Sequence, residues 1–285
     1  MKGIVLAGGT ASRLHPISSS TNKHLLPIYD KPMIYYPIST MMLAGIKDIL
    51  VITSKEYVES FEKLLGNGSN FGINISYAIQ DKPNGIGEAF LIGEKFIDNK
   101  SVCLILGDNI FHGTDLQKKL YEATQNNIGA TIFAYKVLDP RRYGVVEFDS
   151  NNVAVSIEEK PKNPKSNYII PGLYFYDNQI IDIVKKMKPS DRNELEITDI
   201  NNYYLKKKSL KVTELGRGTA WFDCGTEDSL ISASNFVQII EKKQGLKIGC
   251  IEEIALHQNF ISKNDLKEYL KDKKSNYYDY LKSFL

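Results

Sequence analysis

Cysteine, histidine and tryptophan are scarce here: three, four and one in 285 residues. Cys103, Cys224 and Cys250 are odd in number, widely spaced and form no CxxC. That excludes a disulfide scaffold and reads as buried or incidental thiols in a reducing cytoplasm. His15, His24, His112 and His257 make no HExxH or i, i+4 pair, so no zinc site is expected. Neither sign of charge dominates. Lys+Arg number 36 and Asp+Glu 34, a formal net charge of +2, too balanced for a nucleic-acid partner. No apolar run approaches the roughly 20 residues of a membrane span. The nearest, 33–46, is interrupted by Pro37, Ser39, Thr40 and Gly45. The opening MKGIVLAGG is too short an apolar run for a signal peptide and reads as a strand. GxGxxG, GxxxxGK[ST] and GxSxG are all missing, which disfavours nicotinamide-dinucleotide, Walker-type and serine-hydrolase chemistry.

What remains is an ordinary globular composition, 42% hydrophobic and 25% charged. At about 150 residues per domain the length suggests one large domain or two small ones. Short β-branched runs alternate with helical patterns in the first half. Strands are expected at 2–7, 48–53, 74–79, 101–106 and 130–137. Helices are expected at 34–44 (broken near Pro37), 56–65, 87–96 and 115–125. This alternation predicts an α/β fold with a largely parallel sheet. After Pro140 the pattern turns β-rich, with strands at 144–148, 154–157 and 168–176. Helices return at 178–187, 194–206 and 226–242, with a strand at 210–214 and small helices beyond Gly245. No repeat or linker divides the chain, so one continuous domain with a helical tail is expected.

Several segments could carry chemistry. LAGGTASRL directly follows the first strand, and its paired glycines let successive backbone N–H groups cradle an anion. Arg13 adds a fork of donors for phosphate, and Lys23 a second cation. Asp108 follows an apolar strand, at the sheet edge where ligands sit in open α/β folds. Asp223, between an apolar strand and a helix start, is a similar case. Two such carboxylates could share one Mg²⁺, which prefers few protein carboxylates plus phosphate oxygens. Glu159 could accept sugar hydroxyls and Lys160 could bind a phosphate. Gln80, with Pro83-Asn84-Gly85, suits the edge of a nucleobase. Each of these segments is also compatible with an ordinary turn, cap or solvated charge.

Taken together, LAGGTASRL, NKHLLPIYDKPMIYYPIST, LGDNIF, FAYKVLDPRRYGVVEF, SIEEKPKNPKSNY, GLYFYDN, ELEITDIN and WFDCGTEDSL resemble the glucose-1-phosphate thymidylyltransferases. These belong to the sugar-phosphate nucleotidyltransferase family. The resemblance implies a Rossmann-like core, a mostly parallel mixed sheet flanked by helices, a β-rich sugar-binding region and a helical C-terminal part. It implies a nucleotidyltransferase domain over 1–242, with a nucleotide part to about 137 and a sugar part over 138–225. The segment 243–285 would serve oligomerisation or regulation. The implied reaction joins dTTP and glucose 1-phosphate into dTDP-glucose and pyrophosphate, the first step toward dTDP-deoxysugars such as dTDP-rhamnose. Such in-line displacement needs positioning and charge neutralisation, not an enzymic nucleophile.

By motif, Leu6, Gly8, Gly9, Thr10, Arg13 and Lys23 would hold the nucleotide, and Gln80 and Gly85 would read thymine. Asp108 and Asp223 would hold Mg²⁺. Asn109, Gly144, Glu159 and Ile170 would bind glucose and Lys160 its phosphate. Arg13, Lys23, Asp108, Lys160 and Asp223 form the catalytic set. A cytoplasmic homotetramer is implied, with a second dTDP-deoxysugar site near Gly216-Arg217-Gly218 and KIGCIEEIA. The chain departs from the usual loop at Ala11 and Ser12. A positive φ at Ala11 would store about 1 kcal/mol of strain. Pro171 and Cys224 stand where threonine is common. A UTP-dependent uridylyltransferase and an inactive nucleotide-sugar-binding regulator are the alternatives.

Overall fold

A computed structural model of the chain describes residues 1–9, 11–126 and 128–285. Its strands are β1 (Lys2–Leu6), β2 (Pro27–Ile28), β3 (Lys31–Pro32), β4 (Asp48–Thr53) and β5 (Asn74–Ile79). They continue as β6 (Val102–Leu106), β7 (Asn109–Gly113), β8 (Ala130–Lys136), β9 (Gly144–Phe148) and β10 (Ala154–Glu159). The last are β11 (Tyr168–Ile169), β12 (Leu173–Tyr176), β13 (Leu210–Glu214) and β14 (Thr219–Asp223).

Among the described residues ten strands form one sheet, ordered β10-β9-β11-β8-β12-β6-β1-β4-β5, with β13 on β8. β1 lies parallel between β4 and β6, and β5 runs parallel beside β4. β12 is antiparallel to both β6 and β8. Beyond it β11, β9 and β10 pair antiparallel. The expected mixed sheet is thus present, parallel on the N-terminal side and mostly antiparallel beyond β12, where β13 alone pairs parallel, with β8.

The apolar runs explain the layers. Sheet side chains alternate between faces, so Val5, Ile49, Val51 and Ile105 enter one core while Ile4, Leu50, Ile52 and Leu104 enter the other. Helix Tyr35–Leu43 covers the first face with Ile38, Met41 and Met42. Helices Glu88–Ile92, Ile180–Lys185 and Ile197–Lys206 cover the second with Phe90, Ile180 and Ile200. The C-terminal helices Ile251–His257, Lys263–Leu270 and Asn276–Lys282 add Ile251, Ala255, Leu266, Leu270 and Leu281 to the first core. A third cluster joins Ile28, Met33 and Ile110 to Val237 of helix Glu227–Gln244. All three cysteines are buried and free. Among the described residues no helix is long and apolar enough to cross a membrane.

Four local readings change. Helix Tyr35–Leu43 runs through Pro37 unbroken, because proline in the first turn removes no helical hydrogen bond. The helix expected at 87–96 divides at Gly93, whose N–H closes onto Ala89 O. The strand expected at 168–176 breaks at Pro171-Gly172. Proline has no N–H for the ladder, and Gly172 donates instead to Asn109 Oδ1 at 3.0 Å. The sequence reading also missed β7, which pairs antiparallel with β14 through Asn109↔Asp223.

Candidate active site

β1, β4 and β6 all end at one sheet edge, which presents Leu6, Thr53 and Leu106. Their loops build the site. After β1, Ala7 N donates to Ile52 O at 2.7 Å, and Asn22 Nδ2 and Thr53 Oγ1 donate to Ala7 O. The following glycines are thereby fixed at the mouth. Gly9 has φ +92°, and a Cβ on Gly8 would lie 2.5 Å from Gln80 Oε1. Ala11 is left-handed, φ 47° and ψ 30°, so the expected strain is present. Its carbonyl accepts from Ser18 Oγ and Leu14 N, which holds the short turn Ser12–Leu14 and buries Leu14. Arg13 projects from this turn toward Gly225, where a Cβ would meet Arg13 Nη2 at 3.1 Å and Asp223 Oδ1 at 3.2 Å. Thr10 lies outside the described residues.

The β7–β14 ribbon brings the two aspartates together. Cys224 N donates to Asp108 O at 2.9 Å. Lys23 forms an ion pair with Asp108, and Asn109 Nδ2 donates to Asp108 Oδ1 at 2.9 Å. Burial opposes ionisation of Asp108, but Lys23, His24 and these hydrogen bonds outweigh it and hold the carboxyl below its usual range. Asp223 goes the other way. Burial and the charge of Asp108 push it up to about 6, against the pull of Lys23, Arg13 and Arg142. His24 is buried and its pKa falls to about 3, first by desolvation and then by Lys23, so it stays neutral beside the pair.

The residues expected on the sugar side come from β9, β10 and the β11–β12 corner. Glu159 Oε2 accepts from Thr198 Oγ1 at 2.5 Å. Glu159 Oε1 lies 3.4 Å from Lys160 Nζ and 3.7 Å from Arg192 Nη2. A Cβ on Gly144 would sit tightly against Thr198 Oγ1, at 3.2 Å, and the Gly144 carbonyl accepts from Ile170 N at 2.8 Å. Asn109 Oδ1 accepts from both Trp221 Nε1 (2.7 Å) and Gly172 N (3.0 Å). With Nδ2 on Asp108, one amide hydrogen of Asn109 is left for a ligand. On the opposite wall Gly85, φ +101°, lies where a Cβ would meet Leu195 N and O at 2.6 Å. The 83–88 loop is therefore pinned to segment 190–196, with Leu195 N donating to Asn84 O and Gly87 N to Leu195 O.

These walls enclose two adjoining clefts of about 510 and 230 Å³. Every expected site residue within the described chain lines one or both. Leu6, Gly8, Gly9, Lys23, Gln80 and Gly85 line the smaller, and Arg13, Asn109, Gly144, Ile170 and Asp223 the larger. Asp108, Glu159 and Lys160 line both, at the junction. The sequence reading missed Arg192, Arg142 and Trp221. Arg192 sits in a polar stretch whose signal was the Asp191-Arg192-Asn193 turn before ELEITD. Arg142 follows the apparently solvated Arg141, which Asp139 holds at 2.7–2.8 Å. The one tryptophan packs edge-on against Tyr135 and Tyr143 and buttresses Asn109.

The arrangement suits a phosphate chain and a divalent cation. Six cations line the two clefts (Arg13, Lys23, Arg141, Arg142, Lys160 and Arg192), together with the carboxylates of Asp108, Asp223 and Glu159. Among the described residues no group of three or more His, Cys, Asp or Glu could hold a metal. The aspartate pair matches Mg²⁺, which takes one or two carboxylates and fills its shell with water and phosphate oxygens. The raised Asp223 records a repulsion that a bound cation would relieve.

Residues 2–239 match the model of the nucleotidyl transferase family. A Neisseria meningitidis glucose-1-phosphate thymidylyltransferase is 55% identical over 98% of this chain and 96% of its own. A second such enzyme, from Mycolicibacterium smegmatis, is 53% identical over 100% of this chain and 99% of its own. A solved UDP-glucose pyrophosphorylase complexed with UDP-glucose superimposes with TM-score 0.73 at 27% identity, over 85% of this chain and 99% of its own.

Proposed function

Because the chain belongs to the nucleotidyl transferase family, we propose that it transfers the thymidylyl group of dTTP to glucose 1-phosphate. An oxygen of the sugar phosphate attacks the α-phosphorus in line. The new P–O bond forms as the bond to the β-phosphate breaks, and pyrophosphate leaves with that bridging oxygen. The observation that carries this reading is the junction of the two clefts, where Asp108 and Lys160 are common to both. A nucleotide in one cleft and a sugar phosphate in the other would meet there.

Gly8 and Gly9 offer backbone N–H groups to the nucleotide phosphates, with Lys23 and Arg13 as the cations that receive the departing charge. Gln80 and Gly85 face the base. Lys160 and Arg192, on either side of Glu159, take the sugar phosphate. Glu159, Gly144, Ile170 and the remaining Asn109 hydrogen face the sugar. Asp108 and Asp223 would hold Mg²⁺, which supplies neutralisation of the charge developing on the phosphates. We read 1–137 as the part that carries the nucleotide and 138–225 as the part that carries the sugar. Residues 243–285 serve subunit contact or regulation. KIGCIEEIA runs along a separate pocket of about 530 Å³ with Leu43, His112 and His257, a space a second nucleotide-sugar could use, although Gly216-Arg217-Gly218 does not line it. A cytoplasmic homotetramer remains part of this reading by family likeness.

The test is pyrophosphate release with glucose 1-phosphate and Mg²⁺, comparing dTTP with UTP, CTP, ATP and GTP. Strong preference for dTTP, lost with EDTA and in Asp108→Asn, is expected. Preference for UTP would move the chain to a uridylyltransferase, the reading that the UDP-glucose-bound neighbour favours. No turnover in a protein that binds dTDP-glucose would overturn the catalytic claim.

A further inference from the structure

We propose that Glu88 is a positioning residue that decides which end of the Gln80 amide faces the base, so that the cleft selects bases with a ring N–H at the edge it meets. The inference rests on the nucleotide reading of the smaller cleft. Gln80 follows β5 and is 6% exposed. Its Oε1 lies over the glycine loop, where a Cβ on Gly8 would come within 2.5 Å of it. Its other end, Nε2, donates to Glu88 Oε2 at 2.7 Å. The second oxygen of Glu88 takes Asn84 Nδ2, also at 2.7 Å. Both carboxylate oxygens are thereby held, from the first turn of helix Glu88–Ile92.

An ionised carboxylate can only accept hydrogen bonds. Turning the Gln80 amide over would set its carbonyl oxygen against Glu88 and exchange a charge-assisted bond for repulsion. The carbonyl end therefore stays toward the cleft as a fixed acceptor. Thymine and uracil carry N3–H and can donate to it. Cytosine has a lone pair at N3 and would meet the acceptor with an acceptor. A site whose polar groups cannot turn rejects such a mismatch more strongly than one whose amide can flip. Glutamine at position 88 would have no such bias, since its own amide can donate or accept. Asn84 completes the clamp from the same loop that Leu195 pins.

The experiment measures kcat/KM for dTTP, UTP and dCTP with glucose 1-phosphate in the wild type, Glu88→Gln and Glu88→Ala. In Glu88→Gln the dTTP-to-dCTP ratio is expected to fall at least tenfold, with most of the change in dCTP. Glu88→Ala should move the ratio the same way. The dTTP-to-UTP ratio should stay within about twofold, because the two bases share that edge. A dTTP-to-dCTP ratio unchanged in both variants, even with lower overall activity, would overturn the proposal. So would a wild type that accepts dCTP as readily as dTTP. If the wild type turns over nothing with glucose 1-phosphate, the functional reading fails separately. The same ratio is then read from equilibrium titrations of dTTP and dCTP.

Discussion

Two buried charge clusters in this molecule use the same residue types to opposite ends. One joins the hairpin β2–β3 to helix Glu227–Gln244 and the segment that follows it. There Lys31 Nζ lies 2.5 Å from Asp30 Oδ1 and 3.0 Å from Glu241 Oε1. Lys247 pairs with Asp30 and reaches Glu241 Oε2 at 3.3 Å, and Ile248 N donates to Glu241 Oε1 at 2.8 Å. Two lysines face two carboxylates, and burial of Asp30 is outweighed by Lys31 and Lys247, which hold its carboxyl below the usual range. The other cluster is the Asp108–Asp223 pair. Lys23 satisfies Asp108 and leaves Asp223 raised by burial and by its neighbour's charge. The first cluster is balanced within the protein and acts as a joint. The second is left unbalanced by the protein's own groups, an imbalance often found where a site binds or reacts.

The largest effect that would test this contrast is at Lys31, which is 3% exposed. Lys31→Met leaves Asp30 and Glu241 short of a buried partner and should cost about 3–5 kcal/mol of stability. Urea unfolding at pH 7 measures it. A loss below about 1 kcal/mol would break the comparison, because the joint would then contribute no more than a surface pair. Pairing the change with Glu241→Leu should recover part of the loss.

Asp223→Asn should separate activity from stability. Activity is expected to fall about 100- to 1,000-fold, the scale of losing one charge-stabilising group. Stability at pH 7 should rise, by as much as about 3 kcal/mol if the full elevation of Asp223 to about 6 is relieved. The pH dependence has a definite sign. A folded-state pKa above the unfolded value means that the native protein binds the extra proton, so stability falls as pH rises from about 4 to about 6. Asp30 behaves oppositely: its contribution is present above the ordinary carboxylate range and is lost as pH falls below it. Glu252 and Glu253 are also raised, chiefly by burial, so the wild type alone is not diagnostic. Subtracting the Asp223→Asn melting curves from those of the wild type isolates the window. A difference independent of pH between 4 and 7 would show that Asp223 is not the strained member.

The same contrast explains what could be read in the sequence. The apolar runs VCLIL and DILVIT are buried on both faces, and their length and β-branching announce a parallel sheet without further help. Asp108 was visible because it follows such a run at the edge where ligands sit, and Asp223 because it stands between the short apolar run of β14 and a helix start. That they meet depends on β7, whose residues NIFHG carry no strong strand pattern until β14 pairs with them. The joint was not foreseen at all. Lys31 and Glu241 are 210 residues apart, and a buried lysine looks in sequence like any solvated one. Arg192 was hidden for the same reason, in a polar stretch tied to the opposite loop by the backbone bonds of Leu195.

Non-glycine residues in the left-handed region stand by both clusters, Ala11 at φ 47° and Lys160 at φ 44° at the cleft and Tyr29 at φ 60° beside the joint. Ala11 gives the smallest predicted effect. Left-handed backbone costs an L-residue about 1 kcal/mol or slightly more. Glycine removes that cost but gives the unfolded chain extra freedom worth about 0.4–1 kcal/mol. Ala11→Gly should therefore stabilise by a few tenths of a kcal/mol and raise Tm by about 0.5–1 °C. The turn it closes would keep its bonds from Leu14 N and Ser18 Oγ to the carbonyl of residue 11, since both are made to backbone. The loop would be freer before dTTP binds, so KM for dTTP is expected to rise, by about twofold, with kcat unchanged. A fall in Tm would mean that Ala11 restricts the unfolded chain more than it strains the folded one. A fall in KM would mean that the strain itself holds the glycine loop away from its phosphate-binding shape.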